Sequence, residues 1–86
     1  MTITKNKPPS VAQAKKLASY WSDGGDIRIS ESYVDPTDAV LIRKGWITPT
    51  GAAGIYPQTR VEFLVYQIAA DGMAAMADYF INQAHR

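Results

Sequence analysis

The chain contains no cysteine and a single histidine, and these two shortages remove several kinds of site at the outset. Without thiols there are no disulfide bonds and no thiolate metal sites, which favours a cytoplasmic protein. His85 stands one residue from the C-terminus, where chains commonly fray, so a histidine ligand or catalyst is not expected there. We therefore expect no metal and no small-molecule cofactor.

Long uninterrupted apolar runs are also missing. Residues 1–10 carry two lysines and two prolines where a secretory signal would need an apolar stretch. The most apolar region, residues 61–81, is interrupted by Glu62, Asp71 and Asp78, and each carboxylate would be costly in lipid. The sequence predicts neither a secretory signal nor a membrane span.

The groups that catalysis needs are scarce as well. Asp23 and Asp26 flank two glycines, as solvated turn residues do, and neither an activated nucleophile nor a histidine base accompanies them. The glycines at 51 and 54 lack the lysine and the following Ser/Thr of a phosphate-binding loop. We expect a protein that is not an enzyme.

Size and charge set the remaining limits. The 86 residues suffice for one domain with a modest core, and a hydrophobic content of 47% is typical of a globular chain. The formal net charge is +1, with a surplus of two positive charges in residues 1–44 and one negative charge in residues 45–86. So small an asymmetry neither indicates nor excludes a polyanionic partner.

Capping residues mark the helices of the first half. Residues 1–9 are polar and end in two prolines, so they are predicted to be a disordered lead-in to a single domain over residues 10–86. Ser10 and Gln13 form a capping box that starts a helix, which the Ser-Asp-Gly-Gly cluster at 22–25 ends. Trp21 of this helix and Trp46 are expected to anchor the core.

A strand and a second helix are predicted next. Ile27 and Ile29 alternate with polar residues, as in a half-buried strand. Asp35 followed by Pro36 is typical of a helix start, and this helix is predicted to run to Lys44. Gly45 suits the left-handed position that closes many helices.

The second half is predicted to contain a hairpin and a long helix. Residues 46–48 and 54–56 are interpreted as two short strands joined by a turn over residues 49–53. Thr59 and Glu62 fit a second capping box, which favours a helix from Val61, although residues 61–68 are rich in the β-branched and aromatic residues of strands. Asp71 and Gly72 are expected to end or bend this helix before a second piece that runs to about Gln83.

The order of these elements, with the sequence Leu-Ile-Arg-Lys-Gly-Trp-Ile over residues 41–47, a glycine turn, Tyr56 and Thr59, resembles the small winged-helix proteins of bacterial and phage regulators. The resemblance covers roughly residues 10–70 and rests on a short motif. It implies an α+β, winged-helix-like domain with a two- to three-stranded antiparallel sheet and a long C-terminal helix or helix pair.

The resemblance also implies a transcription-regulating protein that binds double-stranded DNA. The helix over residues 36–44 would be the recognition helix and residues 48–53 the tip of the wing. Six hydroxyl and cationic side chains would then contact the DNA backbone: Thr37, Arg43, Lys44, Thr48, Thr50 and Arg60. The alternative for the basic pair is purely structural, because cations before a helix-ending glycine stabilise the helix dipole without a ligand.

A second hypothesis is a protein-interaction inhibitor, encoded by a phage or mobile element, that uses the same scaffold to bind a bacterial protein. The first turn of the recognition helix carries Asp35 and Asp38, whose charges would repel phosphates. These two carboxylates favour a protein target over DNA.

A homodimer through the C-terminal helix is the third expectation. Apolar residues occupy nearly every side of residues 61–84, more than one small domain buries easily, so the surplus is expected to meet a second copy. The alternative is a helix enclosed by its own core. The predicted interface consists of Val61, Leu64, Val65, Ile68, Met73, Met76 and Phe80.

Overall fold

A computed structural model describes residues 8–84, which form three helices and one three-stranded antiparallel sheet. In chain order the elements are α1 (Val11–Ser22), β1 (Ile27–Ser30), α2 (Pro36–Arg43), β2 (Ile47–Ile55), β3 (Glu62–Ile68) and α3 (Ala70–Ala84). The strand order is β1-β3-β2, so β3 is central. The predicted α+β class with an antiparallel sheet and a C-terminal helix is confirmed.

The predicted disordered lead-in lies mostly outside the described residues. Within its described end, Pro8 is exposed but Pro9 is buried. Packing against the domain therefore begins at least one residue before the predicted start at Ser10.

Helix α1 begins and ends as its capping residues predict. The Ser10 hydroxyl accepts from the Gln13 amide at 3.2 Å, and the Gln13 side chain accepts from the Ser10 amide at 3.0 Å. At the other end Gly25 has φ 89° and its amide donates to the Tyr20 carbonyl at 2.9 Å. This bond satisfies a carbonyl of the last turn, so the chain leaves the helix toward β1.

The prediction of helix α2 is also confirmed. The Asp35 carboxylate accepts from the Thr37 amide at 3.0 Å, which caps the first turn. Gly45 has φ 74°, and the Trp46 amide donates to the Leu41 carbonyl at 2.9 Å. The chain therefore turns sharply from α2 into β2.

The predicted position of the hairpin turn is wrong. Residues 47–55 form one strand that pairs with β3 from Ile47 to Ile55, with an irregular register between Pro49 and Ala53. The turn lies at residues 56–61, where Tyr56 donates its amide to the Val61 carbonyl at 2.9 Å. The glycine-rich segment predicted as a wing tip is instead a bulge within β2, because β3 is long enough to pair on both sides of it.

The predicted helix over residues 61–68 is also wrong, since this segment is β3. The Thr59 hydroxyl accepts from the Val61 amide at 3.4 Å, which forms a local turn rather than a capping box with Glu62. Strand β3 pairs with β1 on one side and with β2 on the other. Cross-strand pairing on both edges thus outweighs the local helix signal, and the β propensity of the segment was the better guide.

Helix α3 begins at Ala70, close to the predicted start of the second helical piece. Gly72 lies in its first turn, and a Cβ atom at this position would collide with the backbone carbonyl of Trp46. The Ala69 amide donates to that same carbonyl at 2.9 Å. The glycine therefore allows the start of α3 to approach the start of β2 closely.

The core lies between one face of the sheet and the helices. Cross-strand partners share a face, and the pairs Ile27–Tyr66 and Ile47–Ile68 place this face toward α1 and α2. The buried cluster consists of Leu17, Ile27, Ile29, Leu41, Trp46, Ile47 and Met76. Trp46 anchors this core as predicted, whereas the prediction for Trp21 is wrong, because its side chain is 59% exposed.

The outer edge of β2 has no strand partner among residues 8–84. This edge is nine residues long and carries no charged side chain. Pro49, which has no amide proton, and the bulge that follows it interrupt the row of free backbone groups. The edge is therefore a poor template for another strand.

Among residues 8–84, no helix has the length and apolar character needed to cross a membrane.

Candidate functional site

The N-terminal turn of α2 is bound to α1 through a buried carboxylate. Asp38 is 6% exposed, and the Tyr20 hydroxyl donates to its Oδ1 at 2.6 Å. Lys16 Nζ lies 3.7 Å from Asp35 and 3.9 Å from Asp38. The two acidic residues of the predicted recognition helix therefore hold two helices together, and α2 packs its first turn against the domain.

The same contact changes the acidity of Tyr20. Burial of the phenol, its hydrogen bond to Asp38 and the negative charges of Asp38 and Asp35 all raise the pKa of Tyr20 above its ordinary value of 10.0. Folding thus favours the protonated phenol. The resulting stabilisation is complete below about pH 10 and is lost as the pH rises above that value.

We expect Tyr20→Phe to lower the free energy of unfolding at neutral pH by about 1–3 kcal/mol, because Asp38 loses a donor while remaining buried. Urea unfolding at neutral pH and at about pH 11 measures both this loss and its pH dependence. The wild type should lose stability between the two pH values, and Tyr20→Phe should lose less. Tyr33→Phe is the control, since Tyr33 is 68% exposed. An equal alkaline loss in wild type and Tyr20→Phe would contradict the assignment.

The six predicted DNA-contacting residues do not form one patch. Arg43 is exposed and Lys44 half-buried at the end of α2, whereas Arg60 lies in the hairpin turn beyond the far end of β2. The length of the hairpin, set by the seven residues of β3 that β2 spans, separates these two places by about 20 Å. The cations predicted to act together therefore lie at opposite ends of the hairpin.

The other residues predicted to contact DNA are partly buried or take part in contacts within the domain. Thr37 is half-buried, and its backbone amide donates to the Asp35 carboxylate. The Thr50 hydroxyl donates to the Val65 carbonyl at 3.0 Å, and Thr48 is half-buried in β2. Lys44 Nζ lies 4.6 Å from the ring centroid of Trp46. Arg43 and Arg60 are the predicted cations whose side chains are exposed.

An arginine that was not predicted as a site residue lies on the open face of the sheet. The Arg28 guanidinium is 5.1 Å from the ring centroid of Phe63, and the rings of Phe63 and Tyr56 are 4.7 Å apart. The alternation around Ile27 and Ile29 indicated that Arg28 points away from the core. Phe63 is 8% exposed, so the cluster covers its own aromatic surface.

The predicted dimer interface divides into three parts. Val61, Leu64, Val65 and Ile68 lie at or within β3, and Ile68 packs against the core, so these four do not belong to a helix. Met76 is 9% exposed and belongs to the core itself. Met73 and Phe80 remain on the solvent side of α3.

Helix α3 has a second apolar face that the domain does not cover. Met73, Phe80 and Ile81 are 37%, 44% and 54% exposed. Together with three exposed alanines they recur at spacings of three and four residues. We call this surface the outer face of α3: Ala70, Met73, Ala74, Ala77, Phe80 and Ile81. The spacing alone would have identified Ile81 and the alanines if β3 had been recognised as a strand.

Among the described residues, no group of three or more His, Cys, Asp or Glu side chains is arranged to hold a metal ion. The single histidine, His85, lies outside them. Comparison of the chain with protein-family models, curated proteins and solved structures found no match.

Proposed function

We propose that this chain is a small, non-enzymatic protein-interaction module of the cytoplasm that binds a protein partner through the outer face of α3. The observation that carries the proposal is the exposure of Met73, Phe80 and Ile81 on one uncharged helix face. Large apolar side chains gathered on one surface are typical of protein interfaces. Scattered single residues would carry no such implication.

The character of this face selects the class of partner. It carries neither cations for phosphates nor carboxylates for metal ions. The favourable free energy of binding at this face would come from removing apolar area from water. The face also carries aromatic and methionine side chains, which are enriched at the centres of interfaces. A complementary apolar protein surface is the partner of matching chemistry.

The placement of the cations favours a protein partner over a nucleic acid. The chain contains nine lysine and arginine residues and eight aspartate and glutamate residues, a formal net charge of +1. A surface that binds DNA usually gathers several cations on one side. Here Lys16 faces the carboxylates of Asp35 and Asp38.

Such a module would act by occupying the surface of its target. No chemistry on the target is required, because a bound domain of this size excludes other molecules from the surface it covers. An inhibitor of a bacterial protein, encoded by a phage or mobile element, fits this mode of action.

Introducing a charge on the outer face tests the proposal. Phe80→Glu should abolish capture of a protein partner, because the carboxylate would have to be buried unpaired at the interface. Asn82→Glu is the matched control, since it adds the same charge to an exposed position of α3 outside that face. Immobilised wild type and both variants are compared in retaining purified chain and proteins of a cell extract. Partners retained equally by Phe80→Glu and wild type would contradict the proposal.

DNA binding is the second candidate, and one observation favours it. An antiparallel hairpin, β2–β3, directly follows α2 and its terminal Arg43-Lys44 pair, the order of elements that the resemblance to winged-helix proteins implies. Exposed Arg60 at the hairpin turn would supply a further cation.

If the chain binds DNA, its affinity for duplex DNA should fall steeply as salt rises, because phosphate contacts release counterions. The double variant Arg43→Ala/Lys44→Ala should then reduce the slope of log affinity against log salt by about 2. Lys15→Ala is a suitable control, since Lys15 is exposed on α1, away from the hairpin. Fluorescence anisotropy with a labelled duplex measures the slope. Absence of binding at low salt would remove this candidate.

A further inference from the structure

We infer that the partner of the outer face of α3 is the same face of a second copy, packed antiparallel about a two-fold axis at Ala77. This inference rests on the proposed function and names the occupant of its surface. The face runs the length of a helix of 15 residues, about 22 Å, and is one helix wide. A second α3 therefore matches its dimensions.

The outer face of α3 is self-complementary about Ala77. An antiparallel two-fold pairing keeps each flank of the helix on its own side of the interface, so Phe80 of one copy packs beside Met73 of the other. On the opposite flank, Ile81 packs beside Ala74. Each exposed apolar side chain thus meets a member of the same face in the other copy, and alanine at the axis allows the helices to approach closely.

The area indicates a reversible dimer. With side chains that are 37–54% exposed, each copy offers about 400 Å², so the pair would bury about 800 Å². Stable interfaces usually bury about 1,200–2,000 Å². We therefore expect a dissociation constant on the order of 10–1000 µM.

The charges beside the face distinguish this association from binding to phosphates. Asp71 and Asp78 are exposed on one flank of α3, and the two-fold axis places this flank of both copies on the same side of the interface. Salt screens repulsion between these carboxylates. The dimer should therefore hold or strengthen as NaCl rises from about 50 to about 500 mM, whereas binding to DNA weakens.

Sedimentation equilibrium of the purified chain tests the association. The average mass should rise toward twice that of the monomer as the concentration reaches about 1 mM, where at least about half of the chains would be dimeric. Phe80→Glu should raise the dissociation constant by at least about 30-fold, while Asn82→Glu should leave it within about threefold. Circular dichroism establishes that both variants are folded. A wild-type monomer throughout this range would overturn the inference.

Disulfide trapping tests the orientation, and the absence of native cysteines leaves no background. Ala77→Cys should crosslink to itself, because the two sulfur atoms meet at the axis. A mixture of Ala74→Cys and Ile81→Cys chains should crosslink almost entirely to each other. Each alone should crosslink poorly, since like positions lie about 9–12 Å apart along the helices. Efficient Ala74→Cys homodimers would indicate parallel packing and overturn the proposed pairing.

The failures of the two proposals are distinguishable. A chain that stays monomeric but retains an extract protein through Phe80 would overturn the second-copy inference and leave the proposed function standing. A chain that neither self-associates nor captures a protein through this face would overturn both.

Discussion

Replacing Trp46 by alanine is expected to remove about half of the stability of this domain, about 3–5 kcal/mol. The indole is 3% exposed and belongs to the core cluster with Leu41 and Met76. Lys44 Nζ also lies over its ring, at 4.6 Å from the centroid. Truncation would therefore leave a cavity where α2, β2 and α3 meet, in a domain whose total stability is about 5–10 kcal/mol.

The second tryptophan supplies the control for this measurement. Trp21 is 59% exposed, so Trp21→Ala should change the free energy of unfolding by less than about 1 kcal/mol. Each variant retains one tryptophan as the sole indole reporter, and urea unfolding can be followed by fluorescence and by circular dichroism. Equal losses in the two variants would contradict the burial that distinguishes the two indoles.

Gly72→Ala is expected to lower the free energy of unfolding by about 1–3 kcal/mol, although alanine is the better helix former. The added methyl group would collide with the carbonyl of Trp46, which is backbone and cannot swing aside. That carbonyl also accepts from the Ala69 amide at 2.9 Å. Relief of the collision would displace the start of α3 from β2 and strain this hydrogen bond.

The control for Gly72→Ala exchanges the same two residues two positions further along α3. Ala74 is exposed, and Ala74→Gly should cost about 1 kcal/mol through helix propensity alone. Alanine is thus expected to be favoured at one position and disfavoured at the other. Thermal and urea unfolding give the two signs, and a gain in stability for Gly72→Ala would contradict the close approach of α3 to β2.

Local signals predicted those parts of the fold that local contacts determine. The capping box at Ser10, the cap at Asp35 and the left-handed Gly45 each act within a few residues, and each prediction is confirmed. The alternation of Ile27 and Ile29 likewise gave β1. Helix ends and short strands were therefore accessible from the sequence.

The sheet was predicted less well because its pairing joins distant residues. Strand β3 lies between β1 and β2, and no sequence signal near residues 62–68 indicates that they have a strand on each side. The apparent capping box at Thr59 favoured a helix, whereas both edges of the segment are paired in the sheet. The misplaced hairpin turn follows from the same cause, since β2 could be recognised as one strand only against β3.

The candidate surface was anticipated in part. Met73 and Phe80 were expected at an interface and lie on the outer face of α3, whereas Met76 belongs to the core. Periodicity places apolar residues on helix faces but does not say which face the domain itself covers. That choice depends on how α1 and β3 pack against α3, which only the tertiary structure provides.

The central position of β3 has a consequence for biosynthesis. Ile27 and Ile29 on β1 pair with Tyr66 and Leu64, residues that the ribosome adds almost forty positions later. Until those residues leave the exit tunnel, the first strand and much of its apolar surface have no cross-strand partner. Truncated chains that stop before residue 62 should therefore be sensitive to proteases and prone to aggregate, and folding should await nearly complete translation.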